Sequence, residues 1–282
     1  MTTPHWIDIK LDAETGIETI RAHFEGHAYD PHFHDSYLLG FTERGVQQFH
    51  CRRVLHNSTP GQAFLLEPGE VHDGNAPMPG GFTYSTLYVP PQWLEREMGN
   101  LFEEAPDDCL PSFAQTLLQE PDLLGRIADA FHALYTADLR IVRQTALDRL
   151  LESLSGTLGW RQKALSRPDI PLVAVRARDY LHAHYQQNIG LDDIAAVAGV
   201  DRFRLSRAFK AAFGIAPYAY LVQLRLARAR QLLRLGRAPV DVAADLGFAD
   251  QSHLGRWFRR AYGFTPAAYR GSCSNVQDLQ LP

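Results

Sequence analysis

Two segments near the C-terminal end of the chain repeat one pattern of hydrophobic and polar positions. Residues 205–217 (LSRAFKAAFGIAP) match residues 254–266 (LGRWFRRAYGFTP) at an offset of 49. The preceding segments IAAVAGV and VAADLGF match at an offset of 48, so a one-residue insertion lies in the turn between them. Each copy has a short apolar stretch, a glycine, and then apolar residues four positions apart, which is typical of a helix-turn-helix. The repeat therefore predicts two such units, at about residues 191–213 and 239–262.

The residues at the turn of each unit fit this prediction. Gly199 and Gly247 follow the first helix directly, where the backbone often takes a positive φ that glycine adopts most easily. Asp201 and Asp250 stand where the second helix needs its free N–H groups capped. The second helix buries its apolar residues and turns the others outward, as candidates for contact with bases and phosphates. These outward residues are Arg202, Ser206, Arg207 and Lys210 in the first unit and Ser252, Gly255, Arg256 and Arg259 in the second.

The segment between the two units, residues 218–235, is rich in alanine, leucine and arginine and predicts one long helix. Pro217 can open this helix at its first turn and Gly236 can close it. A stiff helix would hold the two units at a fixed separation. If the recognition helices lie on one side of the DNA, they must then enter successive major grooves about 34 Å apart. The predicted apolar face of the connecting helix consists of Leu221, Leu224, Leu232 and Leu235.

The N-terminal part has a different pattern. Residues 19–89 break into short alternating or aromatic-rich runs separated by glycine and proline, which predicts a small antiparallel barrel. His32 and His34 are two positions apart on one predicted strand, so their side chains project to the same face. With His72 from a later strand, they could converge inside the barrel.

Residues 90–162 are predicted to be helical, with one helix beginning at Pro121 and another running from Leu139 to Trp160. The second helix carries apolar residues at spacings of three and four, which suits either an intramolecular brace or the seam of a dimer. These residues are Leu147, Leu150, Leu151, Leu154 and Leu158. Residues 161–171 are the expected linker between domains.

Length and charge extend this picture. A chain of 282 residues exceeds what one core usually holds, and the patterns predict an α+β multidomain protein. Its expected parts are a β-barrel over residues 1–95, a helical dimerisation and linker segment over 96–165, and an all-α double helix-turn-helix over 172–271. The last part has 15 Lys and Arg against seven Asp, whereas the rest of the chain has 13 against 25 acidic residues. A basic surface on a duplicated helix-turn-helix indicates DNA.

Cysteine usage and hydropathy narrow the class further. Cys51, Cys109 and Cys273 are widely spaced without a CxxC pair, so neither a disulfide framework nor a zinc finger is indicated. The first residues are polar, and no apolar run approaches the roughly 18 residues of a membrane-spanning helix. We therefore expect a cytoplasmic protein without a membrane partner.

The C-terminal part, over about 100 residues, resembles the AraC/XylS family of bacterial transcription regulators. Its most signature-like segment, residues 245–270, keeps in register Gly247, Phe248, Leu254, Phe258, Gly263, Pro266, Tyr269 and Arg270. By position, the resemblance implies that bases are read by Arg202, Phe203, Ser206 and Arg207 in the first recognition helix and by Gln251, Ser252, His253 and Arg256 in the second. Asp201 departs from the Ser usual at the cap and puts a negative charge near DNA.

The predicted barrel resembles the cupins. The residues that carry the resemblance are Gly26, His32 and His34 in the first motif and Gly61, Gly69 and His72 in the second. Leu38 stands where the first motif has Glu, so three of four metal ligands remain. Neutral imidazoles suit zinc, nickel, iron or copper, and the alternative is that these histidines are polar groups lining a pocket. The candidate ligand-binding residues are His32, His34, Tyr37, His72 and Tyr84.

Together these features predict a sequence-specific DNA-binding transcription regulator of the AraC type, controlled by a small molecule bound in the barrel, with or without a metal. The expected partners are double-stranded DNA, the effector, RNA polymerase and a second copy of the chain. Two alternatives stay open: a constitutive dimeric DNA binder whose barrel senses nothing, and a cupin enzyme fused to a DNA-binding module. Leu38 in place of the motif Glu argues against the enzyme. No pattern names the effector or the operator, or distinguishes an activator from a repressor.

Overall fold

The period of the hydrophobic pattern changes along the chain, and the secondary structure follows it. A computed structural model describes residues 5–101, 109–162 and 170–274. The chain divides near residue 163 into two units, of which the first contains the strands and the second is helical. The expected fold class, a sheet-rich N-terminal domain followed by an all-α double helix-turn-helix, is confirmed.

The strands of the first unit form two facing sheets and a two-stranded ribbon, with antiparallel pairing between neighbours. The larger sheet has the order β1 (Trp6–Leu11), β2 (Glu18–Phe24), β9 (Phe82–Val89), β4 (Tyr37–Gly45), β7 (Ala63–Leu66), β11 (Leu117–Leu118). The smaller sheet has the order β3 (His27–His32), β8 (His72–Asn75), β5 (Gln47–Cys51), β6 (Val54–Ser58). The ribbon pairs β10 (Cys109–Phe113) with β12 (Leu158–Gln162).

One face of the larger sheet packs against three helices, α1 (Pro91–Leu101), α2 (Pro121–Tyr135) and α3 (Arg140–Ser155). Because side chains alternate along a strand, Tyr37 and Leu39 of β4 both join this core. Four leucines of α3 are buried in the same core, namely Leu147, Leu150, Leu151 and Leu154. For these leucines the structure favours the intramolecular brace over the dimer seam.

The opposite face of the larger sheet meets the smaller sheet through aromatic rings. The rings of Phe24 and Tyr29 lie 5.8 Å apart, and those of Phe49 and Phe64 lie 6.2 Å apart. Gly40 leaves room for this packing, since a Cβ added there would lie 2.3 Å from Cζ of Phe64. The two sheets therefore enclose an aromatic interior, the barrel interior.

The helix predicted to run to Trp160 stops earlier. α3 ends at Ser155 with Gly156 at its cap, and β12 begins two residues later and pairs with β10. Gly156 and Gly159 both weaken a helix, and Trp160 suits a strand. The prediction of a helical segment over residues 96–165 is therefore wrong for β10, β11 and β12. Most of the expected linker falls on residues 163–169, which lie outside the described part of the chain.

The second unit contains the helices α4 (Leu172–His184), α5 (Leu191–Ala198), α6 (Arg202–Phe213), α7 (Pro217–Arg234), α8 (Pro239–Asp245), α9 (Gln251–Tyr262) and α10 (Pro266–Ser274). α5 with α6, and α8 with α9, form the two helix-turn-helix pairs. Gly199 and Gly247 both have φ of +72°, as their place after a helix predicts. Leu205 and Phe209 of α6 are fully buried, and so are Leu254 and Phe258 of α9. The apolar residues four positions apart thus face the interior in both copies.

The connecting helix α7 is buried on most of its circumference. Leu221 and Leu224 are buried as expected, but Leu235 is 75% exposed and Leu233 is fully buried in its place. The single apolar face predicted for this helix is therefore wrong. α7 packs against α4 and α6 on one side and against α8, α9 and α10 on the other, so residues all around it lose contact with water.

Arg225 is a buried charge at the centre of α7. Its guanidinium donates hydrogen bonds to the carbonyl oxygens of Tyr185 and Gln187 after α4, and of Gly247 after α8, at 2.7–2.8 Å. Burial lowers the pKa of Arg225 from its ordinary value. A Cβ at Gly247 would lie 2.9 Å from Nη2 of Arg225, so this glycine is required by space as well as by its positive φ. The turn of the second helix-turn-helix is thereby hydrogen-bonded, through Arg225, to the segment that precedes the first helix-turn-helix.

Among the described residues, no helix combines the length and the apolar character needed to cross a membrane.

Candidate functional site

The first recognition helix, α6, presents a polar and aromatic N-terminal surface. Asp201 caps it by accepting hydrogen bonds from the backbone N–H groups of Arg204 and Phe203, both at 2.9 Å. These bonds lower the pKa of Asp201, and the bond from Arg204 has the largest effect. Phe203 is 66% exposed and lies under the guanidinium of Arg202, 5.2 Å from Cζ to the ring centroid. Of the other predicted positions, Arg207 and Lys210 are exposed and Ser206 is partly exposed.

The second recognition helix, α9, begins in the same way. Asp250 accepts a hydrogen bond from the backbone N–H of His253 at 2.6 Å. The predicted contact residues Gln251, Ser252, Arg256 and Arg259 are all exposed. Both helices therefore turn basic and polar side chains toward solvent on the side opposite their buried apolar residues.

His253 differs from the other predicted base-reading residues. It is half-buried, and its Nε2 accepts a hydrogen bond from the indole N–H of Trp257 at 2.9 Å. Its ring also meets the edge of Phe248, with centroids 5.6 Å apart. The structure thus gives His253 packing partners within its own unit.

The sequence patterns did not single out Trp257. Its ring lies 5.0 Å from the guanidinium carbon of Arg260 and 6.3 Å from the ring of Tyr218. Together with parts of α9, these side chains line an open groove in the helical part of the chain. The groove also includes Ser252, Gly255, Arg256, Arg259 and Thr265. The only sequence signal for Trp257 is its position four residues after His253.

The three barrel histidines converge. His32 ends β3 and pairs in register with His72, which begins β8, and the three imidazole centroids lie 4.5–5.1 Å apart. The Nε2 atoms of His32 and His34 are 3.0 Å apart. One ligand nitrogen from each ring lies within 4.8 Å of the others, and all three residues are buried.

Backbone carbonyls orient two of these rings. Nδ1 of His32 lies 2.8 Å from the carbonyl oxygen of Asp30, and Nδ1 of His72 lies 2.9 Å from that of Glu70. A carbonyl can only accept, so each Nδ1 carries the hydrogen and each Nε2 presents a lone pair. Burial lowers the pKa of His72, which favours the neutral imidazole.

The predicted tyrosines fall on opposite faces of the larger sheet. Tyr84 lies in the aromatic interior, stacked on Phe82 and Phe24 with centroids 5.8 and 6.3 Å apart. Tyr37 packs in the core beside the helices, and its hydroxyl donates to the carbonyl oxygen of Pro111 at 2.7 Å. The prediction that Tyr37 shares a pocket with the histidines is therefore wrong. A shift of one position along a strand exchanges the two faces.

Tyr29 and Tyr88 complete the surroundings of the histidines. The hydroxyl of Tyr88 lies 3.3 Å from Nε2 of His34, and the ring of Tyr29 meets the His32 ring edge-on at 5.1 Å. Burial raises the pKa of Tyr29. The prediction omitted Tyr29. Gly74 makes room for its ring, since a Cβ at Gly74 would lie 2.4 Å from the Tyr29 ring.

Arg52, at the turn between β5 and β6, connects this site to the ribbon. Its guanidinium donates to Glu70, to Glu67 at 2.9 Å, and to the carbonyl oxygen of Phe113 in β10 at 2.7 Å. Glu67 in turn accepts the backbone N–H of Phe113 at 2.8 Å. The residue whose carbonyl orients His72 is therefore also bonded, through Arg52, to the strand that pairs with β12.

Two family profiles cover most of this architecture. Residues 14–155, half of the chain, match the AraC-like ligand binding domain, and residues 194–272 match a helix-turn-helix domain. The chain belongs to the AraC family of transcription regulators. This AraC-type regulator thus has an N-terminal ligand-binding domain and a C-terminal DNA-binding domain.

Relatives of this AraC-type chain match along most of its length. It is 28% identical over 249 residues to the uncharacterized HTH-type transcriptional regulator YbfI of Bacillus subtilis, covering 87% of this chain and 88% of YbfI. It is 28% identical over 267 residues to the arabinose operon regulatory protein of Escherichia coli, covering 87% and 84%. Both relatives are named as regulators.

Solved structures support the fold. The crystal structure of an apo variant of ToxT from Vibrio cholerae matches 96% of this chain and 98% of its own with a TM-score of 0.53 at 14% identity. Wild-type ToxT with a bound unsaturated fatty acid matches 98% of each chain with a TM-score of 0.52 at 13% identity. At these identities the likeness concerns the fold alone.

Proposed function

We propose that this regulator changes its occupancy of DNA when a small molecule binds in the interior of its barrel. The observation that carries the proposal is the buried cluster of His32, His34 and His72 beside an aromatic interior, within the domain that matches a ligand-binding family. Pockets for small molecules are typically apolar with a few convergent polar groups. Here Tyr84 and its ring neighbours supply the apolar wall, and the imidazoles with Tyr88 supply polar groups.

The DNA face consists of the exposed residues of α6 and α9. Arginine can bond guanine through two parallel hydrogen bonds, and an exposed aromatic ring can contact a thymine methyl group. We therefore assign base contacts to Arg202, Phe203, Ser206, Arg207, Gln251, Ser252 and Arg256, and phosphate contacts to Lys210 and Arg259. His253 positions Trp257 in the same helix.

Effector binding is coupled to the linker through Arg52. A ligand that moves His72 also moves the carbonyl of Glu70, and Arg52 bonds both the Glu70 side chain and β10. β12, the partner of β10, ends at Gln162, close in sequence to the first helix of the DNA-binding domain. We propose that the signal passes along these contacts as far as β12.

The proposed dimer uses a different surface from the one predicted. Leu139, Ile141 and Val142, at the start of α3, are 77%, 67% and 44% exposed. Ile141 and Val142 line a groove between α2 and α3 that also includes Ala133 and Ala146. Exposed apolar patches of this kind mark contact surfaces, and we assign the second copy of the chain to this one. Contact with RNA polymerase stays a prediction from the family resemblance.

The DNA face predicts the effect of removing one arginine from each recognition helix. Arg207→Ala and Arg256→Ala should each weaken binding by about 1–3 kcal/mol and relax base preference in their own half of the site. The measurement is a titration of selected DNA at fixed salt, with Arg228→Ala, an exposed arginine of α7, as the control. Unchanged affinity and preference in both variants would contradict the assignment.

The coupling route predicts that Arg52→Met separates effector binding from the DNA response. A compound found by thermal-shift screening of the full-length protein should still raise the melting temperature of this variant. In the wild type it should change operator affinity by roughly 5- to 150-fold, and in Arg52→Met by less than about twofold. The control is Arg44→Met, which removes an exposed arginine of the same sheet-rich unit.

Two results of this screen would count against the proposal. If no compound alters both stability and operator affinity, the constitutive DNA binder is the better account. If Arg52→Met responds like the wild type, the barrel senses the effector but the signal takes another route.

The exposed start of α3 predicts the oligomeric state. Ile141→Lys should yield monomers in sedimentation velocity, because the substitution places a charge in a desolvated interface. Met78→Lys, a substitution of another exposed apolar residue of the same unit, should leave the wild-type dimer intact. A monomeric wild type, or an Ile141→Lys dimer of unchanged strength, would overturn this assignment.

A further inference from the structure

We propose that His32, His34 and His72 bind one divalent first-row transition-metal ion of the zinc class. The three residues come from two strands of the smaller sheet and from the segment that follows β3, and all are buried inside the barrel. The fold therefore fixes their approach before any ligand is present. The regulatory consequence of the ion rests on the proposed function, whereas its binding does not.

The spacing of the nitrogens suits a cation. Zinc–imidazole bonds of 2.0–2.1 Å at tetrahedral angles bring two ligand nitrogens to about 3.3 Å from each other. The Nε2 atoms of His32 and His34 already lie 3.0 Å apart, and the most distant pair of ligand nitrogens in the cluster lies within 4.8 Å. Small rotations of buried rings bring all three nitrogens around one ion.

The hydrogens of the cluster point to the same conclusion. The carbonyls of Asp30 and Glu70 hold the hydrogens of His32 and His72 on Nδ1, so both Nε2 lone pairs face inward. The hydroxyl of Tyr88 can donate its hydrogen to Nε2 of His34. A cation at the centre of the cluster can accept a lone pair from each of the three rings.

The donor set selects the class of ion. Three neutral imidazoles favour zinc, nickel, cobalt or copper over calcium and magnesium, which prefer oxygen ligands. Leu38, in register with Tyr88, supplies no carboxylate. Three protein ligands leave a coordination position for water or for an oxygen atom of the effector. The carbonyls that hold the ring hydrogens are the outer partners that metal-ligating histidines usually have.

The test is a cobalt titration of the full-length protein, purified without an affinity tag and treated with a chelator. We expect about one equivalent of Co²⁺ to bind with the visible absorption of a four-coordinate site, and Zn²⁺ to displace it. His34→Gln and His72→Gln should weaken binding by more than the roughly 10- to 100-fold that loss of an outer partner costs. His50→Gln, which changes an exposed histidine of the same sheet, is the control and should bind as the wild type does.

Thermal melting of each protein with and without Zn²⁺ provides a second readout, because an ion that binds only the folded state stabilises it. A folded wild type that binds no cobalt, or two variants that bind it like the wild type, would overturn the site. So would loss of binding in His50→Gln. An effector that changes operator affinity in chelator-treated protein would leave the proposed function standing after the metal site had failed.

Discussion

A buried guanidinium in the middle of one helix holds the DNA-binding domain together. Arg225 reaches the segment after α4 through two carbonyl oxygens and the turn after α8 through a third, so the segment before the first helix-turn-helix and the turn of the second are bonded to the same side chain. A buried charge is tolerated only when its donors are satisfied, and each buried carbonyl left without a donor costs about 1–3 kcal/mol. The arrangement also explains why Gly247 has no room for a side chain. The helix that carries Arg225, α7, also packs against both α6 and α9.

The sensor domain depends on a different constraint, the alternation of side chains along β4 and β9. One set of positions packs against the helices, and the other set faces the smaller sheet, where the histidines and the aromatic rings lie. This division makes the barrel interior mainly apolar with a few polar groups, which suits recognition of a small molecule. The proposed DNA face has the opposite character, since its arginines are exposed. Ligand binding and DNA binding thus depend on different kinds of interaction.

Features that depend on local sequence could be predicted. The repeated helix pairs, the glycines with positive φ and the caps at Asp201 and Asp250 all follow from spacing within short segments. The convergence of His72 with His32 and His34 was expected from the resemblance to the cupins. Features that depend on long-range packing could not. Because α7 is buried on both sides, Leu233 is buried and the predicted Leu235 is exposed. Strand register places Tyr37 outside the barrel interior. Pairing with β10 ends helix α3 before Trp160. The contacts of Arg52 with Glu67, Glu70 and Phe113 involve partners that are distant in sequence.

We expect the two helix-turn-helix units to act as one rigid reader of DNA, because α7 packs against both recognition helices. The most direct measurement compares the affinity of the protein for its selected operator with its affinity for the same operator carrying an inserted half-turn between the two half-sites, about 5 base pairs. A rigid reader can engage only one half of the altered site, so affinity should fall to that of an isolated half-site. Unchanged affinity for the altered operator would show that the units move independently and would contradict the account.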